Sequence, residues 1–367
     1  MSTRRIGIDA RLYFQTGVGT YLRNFLFYLQ NITPSNIQFY VYVLKKDSNK
    51  IQFENSQFIK REVDYKWHTF GEQIGFLNVL NKDKLDLMHF TYFSSPILYK
   101  RPFISTIHDV TPLLFSTGKA STKNKYLYAL KHFFFKIVLN NQVRNSLQII
   151  TPTKTVKKQL INIYGKNIED KIIPVYEGIN RELIESKENS NLTNLYKSSF
   201  FIYVGNFYPH KNVEKLVRAF SKIKTETKLI LIGPDDFFTK KLSELIKTLC
   251  MNDKIVFYHN AETQDLKFFY QNALALIHPS LSEGFGLPII EARYFQCPII
   301  ASNIPVFQEL LVDRYVQFDP MNEDSIQNAI NSFLKLNHKK NDEKISSKFS
   351  FEEMTRNVLT LYLKNFD

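Results

Sequence analysis

Residues Ala273–Phe295 read ALALIHPSLSEGFGLPIIEARYF. The uninterrupted apolar run ALALIH has the length and composition of a buried strand. A polar, glycine-containing loop follows, and then a segment with Pro288 in its first turn, where a missing N–H costs a helix nothing. Strand, loop and helix in that order form the βα unit of a parallel sheet. The loop also sets Glu283 and Glu291 on either side of GFGLP. At about 1.5 Å of rise per residue, Glu291 lies within one turn of the helix start, so both carboxylates flank a helix N-terminus. The amides of Phe285, Gly286 and Leu287 are the first of that helix and suit a phosphate. Carboxylates repel phosphate, so a chain that supplies both needs acceptors for hydroxyl groups beside it. A ribose diol for one glutamate and a hexose for the other make a nucleotide sugar the ligand. In the competing reading Glu283 caps the helix and Glu291 forms a surface ion pair.

The same βα pattern extends in both directions. Before residue 180 the strand candidates are RRIGIDA, IQFYVYVL, LDLMHF, PFISTIHD, LQIITPT and KIIPVYE, with helical stretches at Tyr21–Leu29 and Lys125–Asn140. After residue 200 they are FFIYVG, KLILIG, KIVFYHN, ALALIHPS, PIIAS and YVQFD. The polar segment RELIESKENSNLTNLYKSS between the two series reads as a linker. The expected organisation is therefore α/β: a Rossmann-like domain over 1–180, a linker over 181–199, a second Rossmann-like domain over 200–345 and a C-terminal helix within 346–367. Two doubly wound domains in tandem bring two sets of strand carboxyl ends, where such folds bind ligands, to a cleft.

The composition of the 367 residues, 44% hydrophobic and 23% charged, is that of a globular protein and argues against disorder. No stretch reaches the roughly 18 apolar residues of a spanning helix, and MSTRRIGIDARL runs directly into strand-like sequence, so the expected location is the cytoplasm. Cys250 and Cys297 are too few for a disulfide framework or a thiolate metal site. The net charge of +13 is concentrated: Val110–Ile168 holds ten Lys or Arg and no Asp or Glu. Such a block suits nucleic acid, an anionic membrane surface or a phosphate-bearing substrate, or is simply a solvated face. No helix-turn-helix, zinc or aromatic RNA motif accompanies it, which argues against nucleic acid.

Three further segments carry candidate site residues. In FFIYVGNFYPHKNVEKLVRAF a strand ends at Gly205, leaving His210 and Lys211 on the connecting loop, where Lys211 can reach a diphosphate. In IGIDARLYFQTGVGTYLRNFLFYL, Gly17, Val18 and Gly19 occupy the first βα loop, where glycines admit close approach of a ligand or merely form a tight turn. In PFISTIHDVTP, His108 and Asp109 end a strand, placed for hydrogen bonding, proton transfer or a structural turn.

Taken together, PSLSEGFGLPIIEA, YVGNFYPHKN and IHDVTP resemble the retaining glycosyltransferases of family 4, which have the GT-B architecture of two Rossmann-like domains. The resemblance covers nearly the whole chain, and its most specific part is E-x7-E at Glu283 and Glu291. It implies that Glu283 holds donor-sugar hydroxyls and Glu291 the ribose. The Phe285–Leu287 amides, His210 and Lys211 would bind the diphosphate, with the Gly17–Val18–Gly19 loop closing over the phosphates. His108, with Asp109 beside it, would contact the transferred sugar. IHDVTP and GNFYPHKN are most similar to bacterial mannosyltransferase-like members, which implies transfer of mannose from GDP-mannose to a glycan or lipid-linked glycan acceptor in polysaccharide synthesis; a UDP-sugar donor is the nearest alternative.

The chain departs from the family twice: His210 stands where many members have arginine, and Gln296 where many have glycine. No convincing D-x-D occurs, since Asp235 and Asp236 in GPDD read as a helix start. No metal is expected. A sugar-nucleotide epimerase of the same architecture is disfavoured, because such enzymes lack this glutamate pair in this setting.

Overall fold

A computed structural model describes residues 3–114, 125–196, 198–312, 314–336 and 348–366. They fall into two compact units. The first lies within Met1–Leu114, Thr122–Gly178 and Lys348–Asp367, the second within Ile179–Ser347.

The first unit is built on a seven-stranded parallel sheet. Its strands are β1 (Arg4–Asp9), β2 (Ile37–Leu44), β3 (Phe58–Val63), β4 (Leu87–Phe90), β5 (Phe103–Thr106), β6 (Ile149–Thr151) and β7 (Ile172–Pro174). Their spatial order is β3-β2-β1-β4-β5-β6-β7. That order reverses direction between β1 and β4, the switch point at which doubly wound sheets bind ligands. Strand β3, FIKREV, is absent from the sequence-based candidates because it lies on the sheet edge and its middle is three consecutive charged residues, Lys60, Arg61 and Glu62. Only β2 pairs with it, so one face of its backbone and half of its side chains need no apolar cover.

The second unit repeats the scheme with β8 (Phe200–Val204), β9 (Lys228–Ile232), β10 (Ile255–Tyr258), β11 (Leu276–His278), β12 (Ile299–Ser302) and β13 (Val316–Phe318). All six are parallel, in the order β10-β9-β8-β11-β12-β13. Its core joins Phe201 and Tyr203 of β8 to Leu216 and Phe220 of helix Val213–Ser221 and to Ile330 and Phe333 of helix Glu323–Lys335. The inner strands β8, β9, β11 and β12 are buried and read as apolar runs, which makes them legible in sequence.

Two boundaries differ from the expected ones. Segment 181–199 is no free linker: it carries helices Arg181–Glu185 and Asn191–Leu195, with Leu183 and Leu192 buried. Lys267 Nζ ties it to the second unit by donating to the carbonyls of Ile184 (3.1 Å) and Ser186 (2.5 Å). The terminal helix, Phe351–Lys364, belongs to the first unit, where it packs on helix Val18–Ile32. Its Tyr362 hydroxyl bonds the buried His89 of β4 at 2.7 Å. The expected boundary at 345/346 lies outside the described residues.

Candidate active site

In the second unit the site grows from two neighbouring strand ends. Past β8, Gly205 turns the chain at φ 146° and a single 3-10 turn, Pro209–Lys211, presents Lys211. Asn212 then adopts the left-handed conformation at φ 59°, and its side-chain amide donates to the carbonyls of Pro279 (3.1 Å) and Pro320 (2.8 Å). Leu281 N–H donates to the His210 carbonyl at 2.8 Å. The loop after β8 is thereby stitched to the loop after β11, and Lys211 is fixed beside Glu283.

Glu283 is buried and its Oε1 accepts three hydrogen bonds: from Lys211 Nζ (2.6 Å), Ser280 Oγ (2.7 Å) and His278 Nε2 (3.0 Å). Burial alone raises a carboxyl, but the Lys211 charge and the His278 bond outweigh it and hold Glu283 well below the usual carboxylate range. Its Oε2 has no hydrogen bond among the described residues and remains available as an acceptor. Burial lowers His278, partly offset by Glu283, so the ring is neutral and donates through Nε2. Its Nδ1 has no partner among the described residues, while the ring stacks on Tyr203 at 5.7 Å.

Helix Leu287–Tyr294 starts after Gly286, whose φ of 92° only glycine adopts freely; a Cβ there would sit 3.0 Å from the Phe307 ring. Glu291 is buried inside this helix, and burial pushes its carboxyl up to about 7 against the opposing hydrogen bond from Tyr270 Oη, 2.8 Å away. The reading in which Glu283 caps the helix and Glu291 makes a surface pair is therefore excluded. Gly286 holds the N-cap, and Glu291 is buried against a tyrosine. Phe285 and Gly286 are buried and Leu287 half-buried. His210 is pushed down to about 4 by burial and by Lys211, so at neutral pH Lys211 carries the charge of this loop and His210 none.

The first unit holds the remaining candidates. Gly17, at φ 69°, is the N-cap of helix Val18–Ile32, and Val18 is its first residue. A Cβ on Gly19 would lie 2.6 Å from the Tyr13 carbonyl, so both glycines are demanded by the turn. The loop begins on a buried cluster in which Arg11 bonds Asp9 and Glu72, each at 2.6 Å.

His108 follows β5, and its two ring nitrogens meet Glu177 Oε1 and the Thr91 carbonyl, each at 3.0 Å. Asp109 instead accepts from Thr111 N–H at 2.7 Å and opens the short helix Thr111–Leu114. Among the described residues no three His, Cys, Asp or Glu group to hold a metal ion, and Asp236 caps helix Phe237–Thr248.

Sequence reasoning missed Glu177, Tyr270, His278 and Ser280. His278 and Ser280 stood in the quoted stretch, and the available signal was their place at the carboxyl end of a parallel strand. Tyr270 and Glu177 come from remote segments and gave no local signal.

Residues 185–348 match the family of glycosyl transferases group 1. The chain is 27% identical over 271 residues to the O-antigen chain mannosyltransferase RfbU of Salmonella typhimurium, covering 74% of this chain and 71% of that one. It is 25% identical over 232 residues to O-antigen chain mannosyltransferase B of Escherichia coli, covering 61% and 58% respectively. Among solved structures, sucrose-phosphate synthase from Thermosynechococcus elongatus superposes with a TM-score of 0.80 over 99% of both chains at 17% identity, a likeness of fold. The family match spans the segment of the second unit that carries Lys211, Glu283 and Glu291, and each unit is built on a Rossmann-like parallel sheet: the second unit holds a group 1 glycosyl transferase domain, and the chain is a glycosyltransferase of GT-B fold.

Proposed function

We propose that this glycosyltransferase is a retaining mannosyltransferase that uses GDP-mannose to extend a glycan or lipid-linked glycan in surface polysaccharide synthesis. The observation that carries the reading is Glu283: a buried carboxylate kept ionised by Lys211 and His278, with Oε2 open to sugar hydroxyls. The mannosyltransferase names of the relatives support the choice of sugar. In this reading Glu291 takes the ribose diol. Lys211 and the amides of Phe285, Gly286 and Leu287 take the diphosphate, with no metal required. The Gly17–Val18–Gly19 turn and His108 serve the phosphates and the transferred sugar, as the family resemblance implies.

In the reaction the bond between the anomeric carbon and the phosphate oxygen breaks, and its electron pair leaves on the nucleoside diphosphate. The acceptor oxygen bonds the same face of the anomeric carbon, and its proton passes to the departing phosphate. Thermal unfolding with GDP, UDP, ADP and dTDP and their sugars tests the donor, since a ligand at 100 times its dissociation constant adds about 2.7 kcal/mol. GDP and GDP-mannose are expected to give the largest shifts. Selective stabilisation by a uridine nucleotide replaces the donor, and EDTA-sensitive transfer removes the metal-free assignment.

The proposal extends to an anionic membrane surface at the cytoplasmic face. Helix Lys125–Asn145 turns Phe135, Leu139 and Val143 to the core. Leu130, Phe133, Phe134 and Ile137 are exposed at i, i+3, i+4 and i+7, one apolar stripe, with Lys136 exposed beside them. Lys119 and Lys123 of the basic block lie outside the described residues, as does the side chain of Lys131. No helix among the described residues is long and apolar enough to cross a membrane.

A further inference from the structure

The His108 ring is held between two acceptors. Nε2 faces the Thr91 carbonyl, which can only accept, so Nε2 carries a proton. Nδ1 faces Glu177 Oε1 at 3.0 Å, and both side chains are about nine-tenths buried. If Glu177 is ionised, Nδ1 must carry a proton as well; if Nδ1 is bare, Glu177 must be the acid. Either way the pair holds one proton beyond those of a neutral imidazole and a carboxylate. With the proton on the ring both contacts are N–H donations and the one to Glu177 is charge-assisted, which assigns that proton to the ring.

The groups around the ring leave this assignment intact. Tyr21, from helix Val18–Ile32, meets it edge-on at 4.8 Å, with its hydroxyl near Thr106 and burial raising it far above neutrality. His89 of β4 is pushed down to about 3 by burial and by the charge of His108, and is neutral. Asp109, next in the chain, turns to Thr111 N–H.

Glu177 is fixed by backbone. Val175 N–H donates to the Thr151 carbonyl at 2.8 Å, and Gly178 lies so close to the start of helix Phe351–Lys364 that a Cβ would meet Phe351 N at 2.1 Å. The terminal helix therefore sets the loop that presents Glu177.

We propose that Glu177 is a positioning residue that locks His108 as an imidazolium with both N–H groups engaged. So held, His108 has no lone pair and cannot be the base that takes the acceptor's proton. Its part is to shape and polarise the sugar site. This rests on the transferase reading above, but its first test does not. Nitrogen-resolved NMR of the His108 imidazole at pH 7.5, in the full chain without ligand, should show two protonated nitrogens. Glu177→Gln should show one. A single protonated nitrogen in the unsubstituted protein overturns the proposal without any variant, whether or not transfer is observed.

In transfer assays Glu177→Gln should lower kcat about tenfold or more, with KM for the donor and calorimetric affinity for the bare nucleoside diphosphate within about twofold. Glu177→Asp should recover most of the loss. Wild-type kcat in Glu177→Gln, or failure of Glu177→Asp to recover more than Glu177→Gln in two equally stable proteins, also overturns it. Absence of transfer by the unsubstituted chain with every donor counts against the transferase reading instead.

Discussion

Lys211 Nζ lies 2.6 Å from Glu283 Oε1, and this pair closes the loops after β8 and β11 onto each other. Of the chain's two candidate diphosphate cations, His210 is neutral and Lys211 is already shared with a carboxylate. Arginine in place of His210, as in many family members, would add a second permanent charge. In the proposed reading Lys211 therefore serves two anions at once: Glu283, which it already bonds, and the departing phosphate. An ammonium has three donor hydrogens and can do both.

Removing the charge at Glu283 separates sugar chemistry from nucleotide binding. Glu283→Gln keeps the shape but loses charge-assisted hydrogen bonds, which are worth roughly 1.5–3 kcal/mol. We expect kcat/KM for transfer to fall about ten- to hundredfold while calorimetry finds nucleoside diphosphate affinity little changed. A variant with wild-type transfer removes Glu283 from the sugar site.

With the ribose on Glu291, as proposed, nucleotide binding should depend on pH. Its carboxyl is raised to about 7 in the folded chain, so below that it is protonated and cannot accept two hydroxyl donors. Affinity for the intact nucleotide sugar should rise with pH through about 7, by up to about tenfold per unit below it. Tyr270→Phe removes the hydrogen bond that opposes the shift and should move the midpoint to higher pH; Glu291→Gln should flatten the profile. Calorimetric titrations from pH 6 to 8.5 check all three.

Acid should weaken the first unit before it threatens any carboxylate pair. Burial lowers His89 to about 3 and His68 to about 4, the latter with help from Arg11, against 6.5 in the unfolded chain. The unfolded state therefore binds protons that the folded state refuses. The stability these groups contribute is complete above about 6.5 and drains away as pH falls toward 3–4, at up to about 1.4 kcal/mol per unit for each ring. Urea titrations at pH 7 and 5 should differ accordingly, and His89→Gln should narrow the difference.

Gln296 carries strain that can be relieved. It sits at φ 58° just past helix Leu287–Tyr294, where its N–H bonds the Arg293 carbonyl (3.2 Å) and Cys297 N–H reaches the Ala292 carbonyl (2.8 Å). These two bonds define a Schellman end, whose left-handed residue is usually glycine. Gln296→Gly should stabilise the protein by about 0.5–1 kcal/mol, the relief of left-handed strain less the entropy glycine adds to the unfolded chain. Denaturant midpoints measure it, and a loss of stability contradicts the assignment.

Membrane docking is read by flotation. Vesicles containing anionic lipid at low salt should retain the protein, neutral vesicles less, with lysine contacts worth about 1 kcal/mol each. Phe133→Ser with Phe134→Ser should abolish retention and leave transfer to a soluble acceptor intact. Equal retention on both vesicle types rules out the docking surface.

The sequence by itself determined the two parallel sheets, the strand–loop–helix holding Glu283 and Glu291, and the loop with Lys211. Each is a local pattern: an apolar run long enough for a buried strand, then turn residues, then a helix start. The polar edge strand β3 escaped because one-sided burial leaves no apolar run.

Only the tertiary structure decided the partners. Lys211 meets Glu283 across 72 residues, His108 meets Glu177 across 69, and Tyr270 meets Glu291 across 21. It also decided protonation, since burial raises Glu291 while Lys211 and His278 hold Glu283 ionised. Two glutamates eight positions apart look alike in sequence; their desolvation and neighbours, which set their chemistry, exist only once remote strand ends are brought side by side.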